Sequence, residues 1–189
     1  MERILIISSS QKIRDFLIEL LCAYAQYEIS AVTCGSEARR LYRETEFDLI
    51  LINAPLSDEF GHELAIDCTD ESAAGVMILV KAELADEVSA KVEDDGVFVV
   101  PKPVGRQMFF QSLRLLTATR RRLLGLKDEN IRLQQKVEEI RLVDRAKCAL
   151  IQYLNMTEAQ AHRHIEKQAM DLRVSRAKIA QSILNTYES

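Results

Sequence analysis

Five polar residues stand just beyond the ends of short apolar runs: Ser8 and Ser9, Asn53, Lys81 and Lys102. Brought to one place they offer hydroxyls, one amide and two ammonium groups. An amide oxygen is a poor nucleophile, and hydroxyls are weak ligands for a hard dication such as magnesium. The set therefore reads as a pocket without catalysis, whose lysines either rest their stems along the rim or receive an anion or metabolite. No other catalytic or metal-ligating set assembles. The four cysteines (Cys22, Cys34, Cys68 and Cys148) lack close metal-ligand spacing, and His162 and His164, two residues apart, face different ways on a helix. Neither a metal nor a cofactor is expected, and the chain is not read as an enzyme.

A second group of polar residues lies toward the other end: Lys147, Arg163, Arg173, Arg176 and Lys178. The charge divides to match. Residues 1–116 hold 11 basic against 20 acidic residues, 117–140 hold 6 against 4, and 141–189 hold 8 against 5. An acidic first part repels nucleic acid and a basic tail attracts it. Arg173 and Arg176 flank the start of a helix, where free backbone N–H groups also favour phosphate. Arginine suits phosphate forks and splayed bases, and His164 or Tyr187 offers a ring for stacking.

The elements that must position these residues follow from the apolar pattern. Runs at Ile4–Ile7, Glu28–Thr33, Phe47–Ile52, Val76–Val80 and Val97–Val100 predict five strands. Helical patterns near Gln11–Ala25, Ser36–Thr45, Gly61–Cys68 and Leu84–Lys91 separate them. Such alternation predicts an α/β fold, a doubly wound five-stranded parallel sheet covered on both faces, with Ser10 and Ser36 as N-caps. From Arg106 to about Val143 no proline interrupts a helix. Leu116, Leu123, Asn130 and Val137 fall at one heptad position and Leu126, Leu133 and Ile140 at another, a seam for a short coiled coil. Asn130 in such a seam favours a parallel two-stranded register, so a homodimer is expected. Gly125 interrupts the pattern. Three short helices follow, the second capped by Thr157 with Gln160 in a capping box and the third by Ser175. Their shared core is expected from Ala146, Ala149, Leu150, Leu154, Ala161, Ile165, Ala169, Met170, Ile179, Ala180, Ile183 and Leu184. The expected domains are 1–116, a linker helix at 117–143, and 144–189.

Two resemblances span nearly the whole chain in order. The first part resembles the receiver domain of bacterial response regulators, a flavodoxin-like fold. The likeness rests on the strand order, on Asn53-Ala-Pro-Leu-Ser-Asp-Glu-Phe-Gly61 as the phosphoacceptor loop, and on the Lys102-Pro103 pair closing the fifth strand. Receivers carry an acidic pair where this chain has Ser8 and Ser9, aspartate at Asn53 and Thr or Ser at Lys81, so the resemblance implies a receiver without aspartyl phosphorylation. Lys102 would then lack a carboxylate at position 53, with Asp58 as a nearby substitute.

The tail resembles the ANTAR domain, an RNA-binding antiterminator module. The likeness rests on Arg145-Ala146-Lys147, Asn155-Met-Thr-Glu-Ala-Gln-Ala161, Gln168-Ala-Met-Asp-Leu-Arg-Val-Ser175 and Ile179-Ala180. It implies a regulator of the two-component class whose dimer binds paired hairpins in the leaders of nascent messenger RNA and prevents terminator formation. A protein or small-molecule input at the receiver-like part is the further partner implied. The alternatives are a DNA-binding regulator and a protein-binding adaptor. Apolar runs of strand length exclude a membrane span, and a strand that begins at once after Met1 leaves no room for a secretory signal, so a cytoplasmic protein is expected.

Overall fold

The computed structural model describes residues 2–187. These residues form two compact units that divide between Leu124 and Gly125.

In the first unit, strands β1 (Glu2–Ile7), β2 (Tyr27–Val32), β3 (Leu49–Asn53), β4 (Gly75–Lys81) and β5 (Phe98–Lys102) alternate with helices α1 (Gln11–Cys22), α2 (Gly35–Glu44), α3 (His62–Glu71) and α4 (Ala85–Val92). The sheet is parallel throughout, in the order β2-β1-β3-β4-β5. The α/β receiver-like fold expected from the sequence is the fold observed. β3 is buried along its whole length and β4 is buried up to Lys81, as strands covered on both faces must be. Two apolar layers flank the sheet. One gathers Leu5, Ile7, Ile50, Ile52, Leu64 and Val88. The other gathers Ile4, Ile6, Leu51, Met77 and three residues of the next helix, Phe109, Leu113 and Leu116.

That next helix, α5 (Arg106–Leu154), begins in the first unit and ends in the second. Leu116 does not head a coiled-coil seam as the heptad count implied. It is 6% exposed and fits the space left by Gly75, where a Cβ would lie 2.8 Å from the Leu116 Cγ. The two readings share a helix stripe, and the sheet takes this residue. Burying such a side chain contributes about 1.5–3 kcal/mol.

Ser36 is not the cap of α2. The helix starts one residue earlier, and the carboxylate of Asp58 accepts from Gly35 N at 2.9 Å and Ser36 N at 3.0 Å. Those bonds hold the Asp58 carboxyl below its ordinary range. Asp58 therefore fastens the β3–α3 loop to the start of α2 and is not the partner of Lys102. Ser10 occupies the position before α1 without a side-chain cap bond.

In the second unit, the end of α5 packs with α6 (Glu158–Leu172) and α7 (Arg176–Tyr187). Val143, Ala146, Ala149, Leu150, Ala161, Ile165, Ala169, Ile179, Ala180, Ile183 and Leu184 form its core. The capping box at Thr157 is complete: Gln160 N donates to Thr157 Oγ1, and Thr157 N donates to Gln160 Oε1. Ser175 Oγ accepts from Lys178 N at 3.3 Å. Two residues assigned to the core lie outside it. Leu154 is the last residue of α5 and is exposed, and Met170 is 78% exposed. Ala161, Ile165 and Ala169 recur every four residues, so the residue after Ala169 turns about 100° away from them.

Candidate functional site

The receiver pocket forms where β1, β3 and β5 end. Ser8 and Asn53 are buried. Asn53 Nδ2 donates to Ser8 Oγ at 2.9 Å, and Ser8 Oγ also accepts from Ser10 N at 3.2 Å. Lys102 Nζ donates to Asn53 Oδ1 at 3.0 Å and to the Ala54 carbonyl at 2.6 Å. Three of the five singled-out residues, Ser8, Asn53 and Lys102, are thus joined in one network. Ser9 is exposed, its hydroxyl 3.4 Å from the Pro55 carbonyl. Lys81 pairs in register with Lys102 across β4 and β5 and is exposed. Burial among neutral partners lowers the Lys102 pKa, and repulsion from Lys81 lowers it further.

This donor set does not fit magnesium. The Asn53 amide oxygen already accepts from an ammonium group, Ser8 Oγ is buried and bonded, and neither carries the negative charge a hard dication requires. Among the described residues no group of three His, Cys, Asp or Glu side chains could hold a metal ion. Cys68 is buried, and burial pushes its thiol up to about 12.

The five C-terminal cations all lie in the second unit, in different electrostatic settings. Lys147 is held: its ammonium lies 2.8 Å from Asp144 and 3.4 Å from Glu158, with only 17% of its side chain exposed. Those pairings raise its pKa, Asp144 contributing most. Arg176 opens α7 and lies 3.5 Å from Glu139 and 3.9 Å from Glu166. Arg163, Arg173 and Lys178 are exposed, and no ion pair involves them among the described residues. Arg173 caps the end of α6 with φ 54°, a left-handed conformation. The acids that quench Lys147 and Arg176 were missed in the sequence. Asp144, three residues before Lys147, was legible from helical spacing, whereas Glu139 meets Arg176 only through tertiary packing. The two rings considered for stacking are engaged: Tyr187 stacks on Tyr153 at 5.4 Å between centroids, and His164 lies 3.1 Å from Gln168 Nε2.

Along α5, Leu123, Leu126, Leu133, Val137 and Ile140 are each about half exposed or more, between 49% and 61%, and Asn130 is exposed among them. No helix of the described residues is long and apolar enough to cross a membrane.

Residues 132–184 match the model of the ANTAR domain. Transcriptional regulatory protein PdtaR of Mycobacterium tuberculosis, in strains CDC 1551 / Oshkosh and ATCC 25618 / H37Rv, is 25% identical to this chain over 184 residues. The match covers 97% of this chain and 90% of the relative. The signal receiver domain of an HD domain-containing protein from Pseudomonas fluorescens Pf-5 superposes with a TM-score of 0.59 at 20% identity, covering 66% of this chain and 92% of that one. The non-phosphorylated HemR receiver domain from Leptospira biflexa gives 0.55 at 25% identity, over 62% and 94%.

Proposed function

We propose that this chain, whose first unit takes a receiver fold and whose tail matches the ANTAR domain, is a response regulator that binds RNA and regulates transcription by antitermination. The observation that carries this reading is the ANTAR match itself, which falls on a folded three-helix module with its own apolar core and with Arg163, Arg173 and Lys178 exposed on its surface. The module acts by binding alone, and no reaction is catalysed.

In this reading two copies pair along the stem, residues 117–143, through Leu123, Leu126, Asn130, Leu133, Val137 and Ile140. The half-exposed apolar stripe supports the pairing, since a helix in water gains by burying it. Each copy then presents one module to one hairpin of a nascent leader. Bound protein stabilises the hairpin pair by mass action, at the expense of the competing terminator fold. Joining two contacts raises avidity well beyond either alone. Arg163, Arg173 and Lys178 face phosphate directly, whereas Lys147 and Arg176 first have to exchange carboxylates for it.

The pocket of Ser8, Asn53 and Lys102 takes no phosphoryl group in this reading, since position 53 offers an amide and the cations bonded there, Lys102 and Arg14, bring no carboxylate. The input is a protein or small molecule at that part. Incubation with acetyl phosphate and magnesium leaves the mass and oligomeric state unchanged. A phosphoryl adduct in the first unit would refute that part.

The central test is a competition between hairpin RNA and duplex DNA for the full chain. Hairpin RNA wins, and the affinity falls steeply with salt. Preference for the duplex would overturn the proposal. Sequencing the RNA that co-purifies with the protein identifies the transcripts.

A further inference from the structure

We infer that the RNA-contacting surface is centred on the outward stripe of α6 formed by Arg163, Lys167 and Met170, with Met170 supplying an apolar contact to a base between phosphate contacts. The inference rests on the RNA-binding reading above and assigns it a face.

The stripe follows from helical spacing. At about 100° per residue, positions 163, 167 and 170 fall within an arc of about 60°, opposite the core line of Ala161, Ile165 and Ala169. The side chains agree: Ala161, Ile165 and Ala169 are buried, and Arg163, Lys167 and Met170 are exposed. The acids a helical turn away are Glu166, three residues beyond Arg163, and Asp171, four residues beyond Lys167. Among the described residues the ion pairs of α6 lie off this stripe, with His162 on Glu166, Glu166 near Arg176 and Glu158 on Lys147. Among the described residues, Arg163 and Lys167 take part in no ion pair. Like charges four residues apart repel along a helix, and a bound phosphate relieves that repulsion.

Met170 is the second, independent sign. At 78% it is more exposed than any other large apolar side chain of the described residues, although a thioether gains nothing from facing water. A flexible, polarizable side chain between cations fits an unstacked base, which offers an apolar face next to its own phosphate. Charge decides the class of partner, because two unpaired cations match a phosphate backbone.

The test uses the full chain and a pool of labelled tandem RNA hairpins with randomised loops, titrated over a range of salt. A phosphate contact worth only counterion release contributes about four- to fivefold in affinity near 0.15 M salt. Lys167→Ala therefore weakens binding by about that factor and lowers the slope of log affinity against log salt by about one. Lys167→Arg restores both. Met170→Ser weakens binding about threefold or more with the slope unchanged, as loss of an uncharged stacking contact should, and Met170→Leu does not. Lys12→Ala, on α1, makes the same change in net charge and leaves binding as it was. If the wild-type chain binds the pool while Lys167→Ala and Met170→Ser bind within twofold of it, this inference fails and RNA binding stands. If the wild-type chain binds no hairpin in the pool, both fall.

Discussion

The two units treat their polar groups in opposite ways. At the receiver pocket, Ser8, Asn53 and Lys102 satisfy one another and the Ala54 carbonyl. In the C-terminal unit, Arg163, Lys167, Arg173 and Lys178 stand in water without an acid among the described residues, beside a methionine that is mostly exposed. An internally satisfied site has little reason to recruit a charged ligand, because any newcomer must displace bonds already made. An unsatisfied outward one has every reason to. The difference favours the proposed recognition by the tail, although the receiver fold is where chemistry would be looked for first.

The largest effect expected is on the stem, which in the proposed dimer turns two weak contacts into one strong one. Leu126→Asp with Leu133→Asp puts four carboxylates into a paired seam. It should leave a monomer by sedimentation equilibrium, with affinity for a two-hairpin RNA lower by about a hundredfold or more. The affinity for a single hairpin should hardly change. A double variant that remains dimeric would move the contact between copies elsewhere.

Next comes Arg173, where structure and binding pull apart. A non-glycine residue held at φ 54° is strained, and asparagine, as at Asn155 with φ 53°, tolerates that region better. Arg173→Gly should raise the stability of the second unit by about 1 kcal/mol in thermal melts. The same variant should weaken hairpin binding several-fold. A gain in stability with unchanged binding would show Arg173 to be a turn residue only.

Strands β3 and β4 were plain in the sequence, because parallel strands buried on both faces read as unbroken apolar runs. The capping box at Thr157 was equally plain, since its partners lie three residues apart. Leu116 and Met170 were misplaced for a shared reason. Spacing fixes which residues share a stripe, but not which surface takes that stripe, nor where an apolar residue one step off the line points. Asp58 was misassigned because its partners, Gly35 and Ser36, lie more than twenty residues away. Lys167, one turn beyond Arg163 in α6, stands out only through the ion pairs of its neighbours, and Glu166 meets Arg176 only through tertiary packing.

A smaller effect separates exposed cations from quenched ones. Lys147→Ala removes an ammonium group already shared by Asp144 and Glu158, so hairpin affinity should fall by less than about twofold, well short of a full phosphate contact. Its cost is structural, the loss of a largely exposed carboxylate's partner, and about 1 kcal/mol or less. A loss as large as that of Lys167→Ala would mean that Lys147 gives up both carboxylates for phosphate and that quenching does not protect a residue from recruitment.

The smallest effect concerns the pocket itself. Lys102 has a lowered pKa in the folded chain, from burial first and from Lys81 second. Between that lowered value and the ordinary lysine value the unfolded chain binds the extra proton, so this group's contribution to stability improves as pH rises through that alkaline window. At neutral pH both forms are charged and the repulsion is present in full. Lys81→Ala removes the second cause, so it should raise stability at pH 7 by no more than about 0.5 kcal/mol, read as a small rise in melting temperature. That gain should shrink as the pH climbs and Lys102 loses its proton in the wild-type fold. A gain that persists unchanged at high pH would trace to the Lys81 side chain alone. A loss at pH 7 would mean that the two ammonium groups already share an anion, and the contrast between a closed pocket and an open tail would have to be redrawn.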